Sequence, residues 1–258
     1  MLPLSYDRYY AETEAQTAGI VEVLRSADPA LPVPTCPGWT LTKLIRHVGR
    51  VHRWAAASVT RRATEYVDPK GLDDAVPPED TEGLAAWLTA GAERVVQAIR
   101  EAGPEARVWT WADEQSAGFW ARRVAHETLV HRADASLAVD GDFEPAPEVA
   151  ADGISELLGL IASPKVGERR TAFAELTGDG QTLHLHATER RLGAAGEWQV
   201  CRTPDGVVWE HGHAKGDVAV RGPAADLLLV LYRRLPASKV EVLGDERLLD
   251  HWLAHTAF

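Results

Sequence analysis

Cysteine is nearly absent from this 258-residue chain, with Cys36 and Cys201 its only two thiols. Two cannot build a disulfide framework or a cysteine zinc cluster. Basic residues are also scarce, 27 Lys and Arg against 38 Asp and Glu, for a formal net charge of −11 at pH 7. No long Lys/Arg run interrupts that balance, so the electrostatic footprint of a nucleic-acid binder is missing. No apolar run approaches the ~20 residues that span a bilayer. The opening stretch MLPLSYDRYYAETEAQ has neither a basic n-region nor an apolar h-region, so no signal peptide is expected. Internal repeats and low-complexity tracts are lacking as well. What is left is an ordinary globular composition, 45% hydrophobic and 25% charged, at a length that suits two modest domains. A cytoplasmic protein with neither nucleic-acid nor membrane partners is expected; monomer and dimer both stay open.

The periodicity divides the chain. Its first half predicts four amphipathic helices: Tyr6 to Arg25, Thr40 to Ala63 after the breaker PVPTCPGW, Glu82 to Ala102, and Ala117 to Val139. A Pro/Asp/Gly-rich loop separates the second from the third, and a short strand is expected within GPEARVWTWADEQS. Four such helices pack most simply as a bundle. DGISELLGLIAS predicts a fifth helix, after which the period becomes strand-like. TAFAELTGDGQTLHLHATE reads as two strands about a Gly-Asp-Gly turn, and EWQVCRTPDGVVWEHG as two more about Pro-Asp-Gly. DVAVRG adds a strand, PAADLLLVLYRR a helix with Pro223 near its start, and DERLLDHWLAHT a last helix. The fold class is therefore α+β: a bundle over residues 1–145, then a smaller mixed α/β domain over 146–258.

The fourth helix carries an anomaly. At about 100° per residue, Trp120, Val124, Glu127, His131, Asp134, Ala135 and Ala138 share one stripe about 120° wide, whereas His126 points elsewhere. A carboxylate on a buried stripe is costly unless an arginine, a proton or a metal neutralises it. A Glu/His pair at i,i+4 facing inward is how helical bundles hold metals; it is also an ordinary helical side-chain pair at a half-exposed edge. On the second helix, Leu44, Val48, Val51 and Ala55 define the apolar stripe, with His47 at one edge and His52 at the other. Periodicity does not choose between these two histidines.

CPGWTLTKLIRHVGRVHRW, followed some eighty residues later by FWARRVAHETLVHRADA, resembles the mycothiol-dependent maleylpyruvate isomerase family, a branch of the DinB-like metal-binding four-helix bundles. DVAVRGPAADLLLVLYRR resembles that family's C-terminal domain, of sterol-carrier-protein-like (SCP2-like) fold. The resemblance implies three metal ligands: the histidine after Gly-Trp-Thr, here His47, and Glu127 and His131. It implies Zn²⁺ with an open coordination position, mycothiol as thiol cosubstrate, and a small electrophilic substrate. The thiolate would serve cis–trans isomerisation of maleylpyruvate-like compounds or S-transfer to other electrophiles. Arg233 and Arg234, or the basic face formed by Lys43, Arg46 and Arg50, would contact the sugar and carboxyl groups of the thiol. Trp39, Trp54 and Trp120 are placed in aromatic core packing or along the cleft. Two rival functions are a non-catalytic binder of metal or small ligand, and a metal-dependent hydrolase using bound hydroxide.

Three further signals are given no role. His184 and His186, and likewise His211 and His213, alternate along strands; Leu183 and Leu185 are expected inward and the histidines outward, so no second metal site is expected. Cys36 has no His or Asp near it in sequence and reads as a small semi-buried thiol. TGDGQT lacks the Gly-Lys-Ser/Thr ending of a phosphate loop and reads as a turn.

Overall fold

The computed structural model describes residues 4–72 and 74–256. They fall into two compact units, one spanning Leu4–Phe143 and one beginning at Glu144.

The first unit holds four long helices: α1 (Tyr6–Ser26), α2 (Leu41–Thr60), α3 (Thr81–Ala102) and α4 (Ala117–Ala138). Each begins where a short polar side chain satisfies an otherwise orphaned amide. Ser5, Thr40, Asp80 and Ser116 accept from the backbone N–H of Arg8, Lys43, Gly83 and Phe119. Ile20, Leu24, Leu41, Leu44, Ile45, Val48, Leu84 and Leu88 form one buried cluster between the helices. Close approach of α2 to α3 depends on Gly49, where a Cβ would lie 2.1 Å from the Trp87 ring. Trp120 and Val124 are buried as the helical wheel requires, but α4 is enclosed on its other sides too, with His126 lying edge-on to Tyr9. The strand expected between α3 and α4 is absent. A single bridge, Arg107 to Ser116, stands in its place, and the Gln115 side-chain amide donates to the Thr110 and Ala112 carbonyls that a ladder would have used.

The second unit opens with α5 (Pro147–Ala162), five residues earlier than the sequence suggests because Pro147 suits a helix's first turn, and with the single-turn α6 (Pro164–Gly167). Five strands follow: β1 (Thr182–Ala187), β2 (Glu197–Thr203), β3 (Gly206–His211), β4 (Val218–Gly222) and β5 (Glu241–Gly244). They form one sheet in the order β3-β2-β1-β4-β5, with only the β1–β4 pair parallel. Helices α7 (Ala224–Leu231) and α8 (Glu246–His255) complete the unit. The ladder sets Leu183 beside Val200 and Val218, and Leu185 beside Trp198 and Val220. All six are buried, and the Trp198 indole donates to Ser155 Oγ of α5 at 2.9 Å. The sheet thus buries one face against helix.

Two expectations are corrected here. Thr171–Leu176, read as a strand, is a 3₁₀ helix. Its buried residues are Phe173 and Leu176, three apart, and that spacing is the 3₁₀ repeat rather than the alternation of a strand. Strand β5 was not expected at all: Glu241–Gly244 is a four-residue edge strand with no buried residue, so it has no hydrophobic alternation to detect.

Candidate metal centre

The Gly38–Trp39–Thr40 stretch turns the chain sharply, with Gly38 at φ 79°, and Thr40 then caps α2. Two turns along, His47 faces α4. There His47 Nε2 lies 2.9 Å from Glu127 Oε1, and His131 Nε2 lies 3.3 Å from the same oxygen. One donor atom from each of His47, Glu127 and His131 falls within 4.8 Å of the others. A tetrahedral shell with bonds of about 2.0–2.2 Å has donor–donor edges of about 3.3–3.6 Å, so the donor set and its spacing fit a small divalent cation.

A second layer holds this cluster. Asp134 Oδ2 lies 2.8 Å from His131 Nδ1, so the ring directs one nitrogen to Glu127 and the other to a fully buried carboxylate. That is the outer-shell carboxylate usual behind metal-ligating histidines. Asp134 in turn accepts from Thr35 Oγ1 at 2.6 Å and from Cys36 Sγ at 3.3 Å. The other Glu127 oxygen lies 3.3 Å from an Arg123 guanidinium nitrogen, an i,i+4 pair. Trp39 stacks on His131 at 6.1 Å and tilts over His47 at 5.0 Å.

The electrostatics follow from these neighbours. Burial pushes the Glu127 carboxyl up, but His131, His47 and Arg123 together hold it well below the usual carboxylate range. Burial pushes the His131 imidazole down, but Asp134, with Cys36 and Glu127, raises it well above its ordinary value.

The rejected alternative, His52, is sealed elsewhere. It is fully buried, its Nε2 sits 2.9 Å from Thr128 Oγ1, and burial with the nearby Arg53 charge lowers its pKa to about 3. Of the three tryptophans considered for a cleft, only Trp39 touches the cluster. Trp54 and Trp120 pack edge-to-face at 5.0 Å within an aromatic group that includes Trp109. Arg233 and Arg234 belong to the second unit, just beyond α7. Arg233 is exposed with φ at 59°, and Arg234 donates to the Tyr232 carbonyl at 2.8 Å.

Two residues of the site escaped the sequence. Cys36 was read as having no His or Asp partner, yet folding brings Cys36, His131 and Asp134 within 4.8 Å. Sequence distance hid that contact. Asp134 was visible on the right stripe at i+3 from His131, and that spacing was the available signal for its role.

A four-helix unit that gathers His, Glu and His between two helices, followed by a mixed five-stranded α/β unit, defines a helical-bundle protein with a second, sheet-containing unit. The sequence comparisons agree with that class. Residues 10–136 match the family description "Mycothiol maleylpyruvate isomerase N-terminal domain", and residues 148–251 match "MDMPI C-terminal domain". The chain belongs to the mycothiol-dependent maleylpyruvate isomerase family. Two solved structures are similar over 93% of this chain and 93% of their own. They are mycothiol-dependent maleylpyruvate isomerase, at 17% identity and TM-score 0.56, and a histidine-to-alanine variant of it, at 16% and 0.58. At such identity the likeness speaks for the fold. No relative among curated proteins matches the sequence. No helix among the described residues is long and apolar enough to cross a membrane.

Proposed function

We propose that the chain is a metal-dependent enzyme that uses mycothiol as cosubstrate and acts on a small electrophile of the maleylpyruvate class. The convergence of His47, Glu127 and His131, with Asp134 behind His131, carries this reading. Two imidazole nitrogens and one carboxylate oxygen suit zinc, and three protein ligands leave a position for a thiol. A cation held by His47, Glu127 and His131 would supply Lewis acidity, which lowers the pKa of a thiol from its ordinary ~8.5 so that the thiolate would be available at neutral pH.

This chain's own residues prepare that position. Asp134 fixes the orientation of His131, while Arg123 occupies one Glu127 oxygen and leaves the other facing the imidazoles. Trp39 lies against both imidazole rings. Lys43, Arg46 and Arg50 share α2 with His47 and are the cationic groups available to the thiol's carboxyl. Addition and loss of one thiol gives isomerisation about a double bond; retention of the thiol gives S-transfer. Cys36 and Cys201 form no disulfide, which suits a reducing compartment, the cytoplasm.

The test is turnover of maleylpyruvate and of a panel of other electrophiles, with and without mycothiol. Expected is mycothiol-dependent turnover that disappears in His47→Ala combined with His131→Ala. Turnover that survives the double substitution, or no thiol-dependent product from any electrophile, defeats the reading. A non-catalytic binding protein is the rival, favoured by the Arg123–Glu127 pair, which neutralises the carboxylate without a metal ion. A stable protein that takes up no metal at this cluster would support it.

A further inference from the structure

A second histidine-rich cluster lies in the sheet unit, among residues the proposed reaction does not use. Strand register places it: His186 faces Glu197 across the β1–β2 ladder, and His184 lies two residues along on the same face, opposite the buried leucine face. Glu197 Oε2 is the focus. His184 Nε2 lies 3.0 Å from it, His186 Nδ1 3.5 Å and His213 Nδ1 2.5 Å. The three rings stand nearly perpendicular in pairs, at interplanar angles of 76°, 90° and 81°, so each points a nitrogen inward and none stacks on another. One donor atom from each of the four residues lies within 4.8 Å of the rest. The His186 distance of 3.5 Å matches the edge expected for a tetrahedral shell, and His184 and His213 stand closer, within hydrogen-bond distance of Oε2.

A specific piece of backbone brings His213 there. Residues 212–217 connect edge strand β3 to β4 and must cross β2 and β1. Both ends of this crossover are pinned. Gly212 N–H donates to the Glu197 carbonyl at 3.3 Å and Asp217 N–H to the Thr182 carbonyl at 3.0 Å. The Asp217 carboxylate accepts from Thr182 N–H at 2.7 Å. In between, Gly216 lies so close over β1 that a Cβ would come within 2.9 Å of the His184 backbone nitrogen. Under this strap His184 is 5% exposed, which corrects the expectation of an outward histidine. The His213 side chain stays 72% exposed. His211 does not join the cluster; its Nδ1 meets the Glu197 carbonyl at 3.0 Å. Arg221, beside His186 on this face, is paired with Glu241 at 3.1 Å.

We propose that His184, His186, Glu197 and His213 form a second metal site for a zinc-class divalent cation, fastening the β3–β4 crossover to the sheet. Three imidazoles and one carboxylate select a borderline cation of the zinc, nickel or copper type. Four protein ligands fill a tetrahedral shell, so the site is closed and structural, unlike the three-ligand cluster of the bundle.

The full chain, stripped by chelator, is titrated with zinc chloride in competition with a chromophoric chelator. The intact protein should take up two equivalents, and either His213→Ala or His186→Asn should remove one of them. His47→Ala combined with His131→Ala should remove the other and leave the sheet equivalent in place. Uptake that neither His213→Ala nor His186→Asn alters overturns the proposal, whatever happens at the bundle cluster; His213 is largely exposed, so its replacement does not threaten the fold. As a second readout, zinc should slow hydrogen exchange of residues 212–217 in the His47→Ala/His131→Ala chain. Exchange unchanged by zinc counts against the site as well.

Discussion

The two clusters use nearly the same donors and are built in opposite ways. In the bundle, Glu127 and His131 lie one turn apart on a single helix, and α2 needs only to present His47. Helical periodicity makes that pair, and the period is written in the sequence. In the sheet, no two of the four residues are brought together by local periodicity alone except His184 and His186. Glu197 arrives by antiparallel register, and His213 by a crossover that passes over the strands. The helix cluster takes two of its residues from one helical turn and the third from a packed helix 80 residues away, whereas the sheet cluster lies within residues 184–213 and depends on strand register and one six-residue strap.

That contrast can be broken at several points. The largest effect is expected from Trp120→Ala, which removes a fully buried indole from the helix that carries Glu127 and His131. It should cost about 3–5 kcal/mol in urea unfolding, and zinc bound at the bundle should be released at correspondingly lower urea. Undiminished stability would mean the cluster is not held by core packing.

Next comes the pH response of His52. Its folded pKa of about 3 lies below the 6.5 of an unfolded histidine. Between those values the unfolded chain binds a proton that the folded chain excludes, so stability is full above pH 6.5 and falls as pH drops. The slope should be up to about 1.4 kcal/mol per pH unit from this residue, and His52→Gln should flatten it. Equal slopes in the two proteins, by urea unfolding across that range, would show that His52 is not excluded from protonation.

Asp134→Asn should weaken zinc at the bundle cluster by about 10–100-fold while leaving sheet-site affinity unchanged, by chelator competition. Weakening at both sites, or at neither, would contradict the separate construction described. The smallest expected effect is at Gly216→Ala. The added methyl crowds the His184 backbone and should shift the strap, weakening only the sheet site, and less than loss of a ligand does.

The four bundle helices were legible to within about three residues because each combines a polar cap with an apolar repeat, as Thr40 and Ser116 show; α5, which has no side-chain cap, begins five residues earlier than its apolar run suggests. The strands that bury one face, such as β1 and β4, were legible for the same kind of reason. Failures came where burial follows no strand period: the 3₁₀ turn around Phe173 and Leu176, and the exposed edge strand at Glu241–Gly244. At the site, the pairing of Glu127 with His131 could be read from spacing, whereas the choice of His47 over His52 came from family resemblance. Asp134 and Cys36 meet across 98 positions of chain, and His213 reaches Glu197 across 16; neither distance leaves a periodic trace.

Asp134 also ties together more than the imidazole it orients. Thr35 and Cys36 come from the Pro-rich lead-in to α2, so a single carboxylate clasps the entrance of one helix to the far end of another. His47 rides on the first helix and His131 on the second. Lengthening the Val33–Thr40 lead-in by even one residue would therefore change the gap between the two imidazoles without altering any donor. Variation in that short segment is the handle by which a relative, or a designer, could retune what the cluster holds.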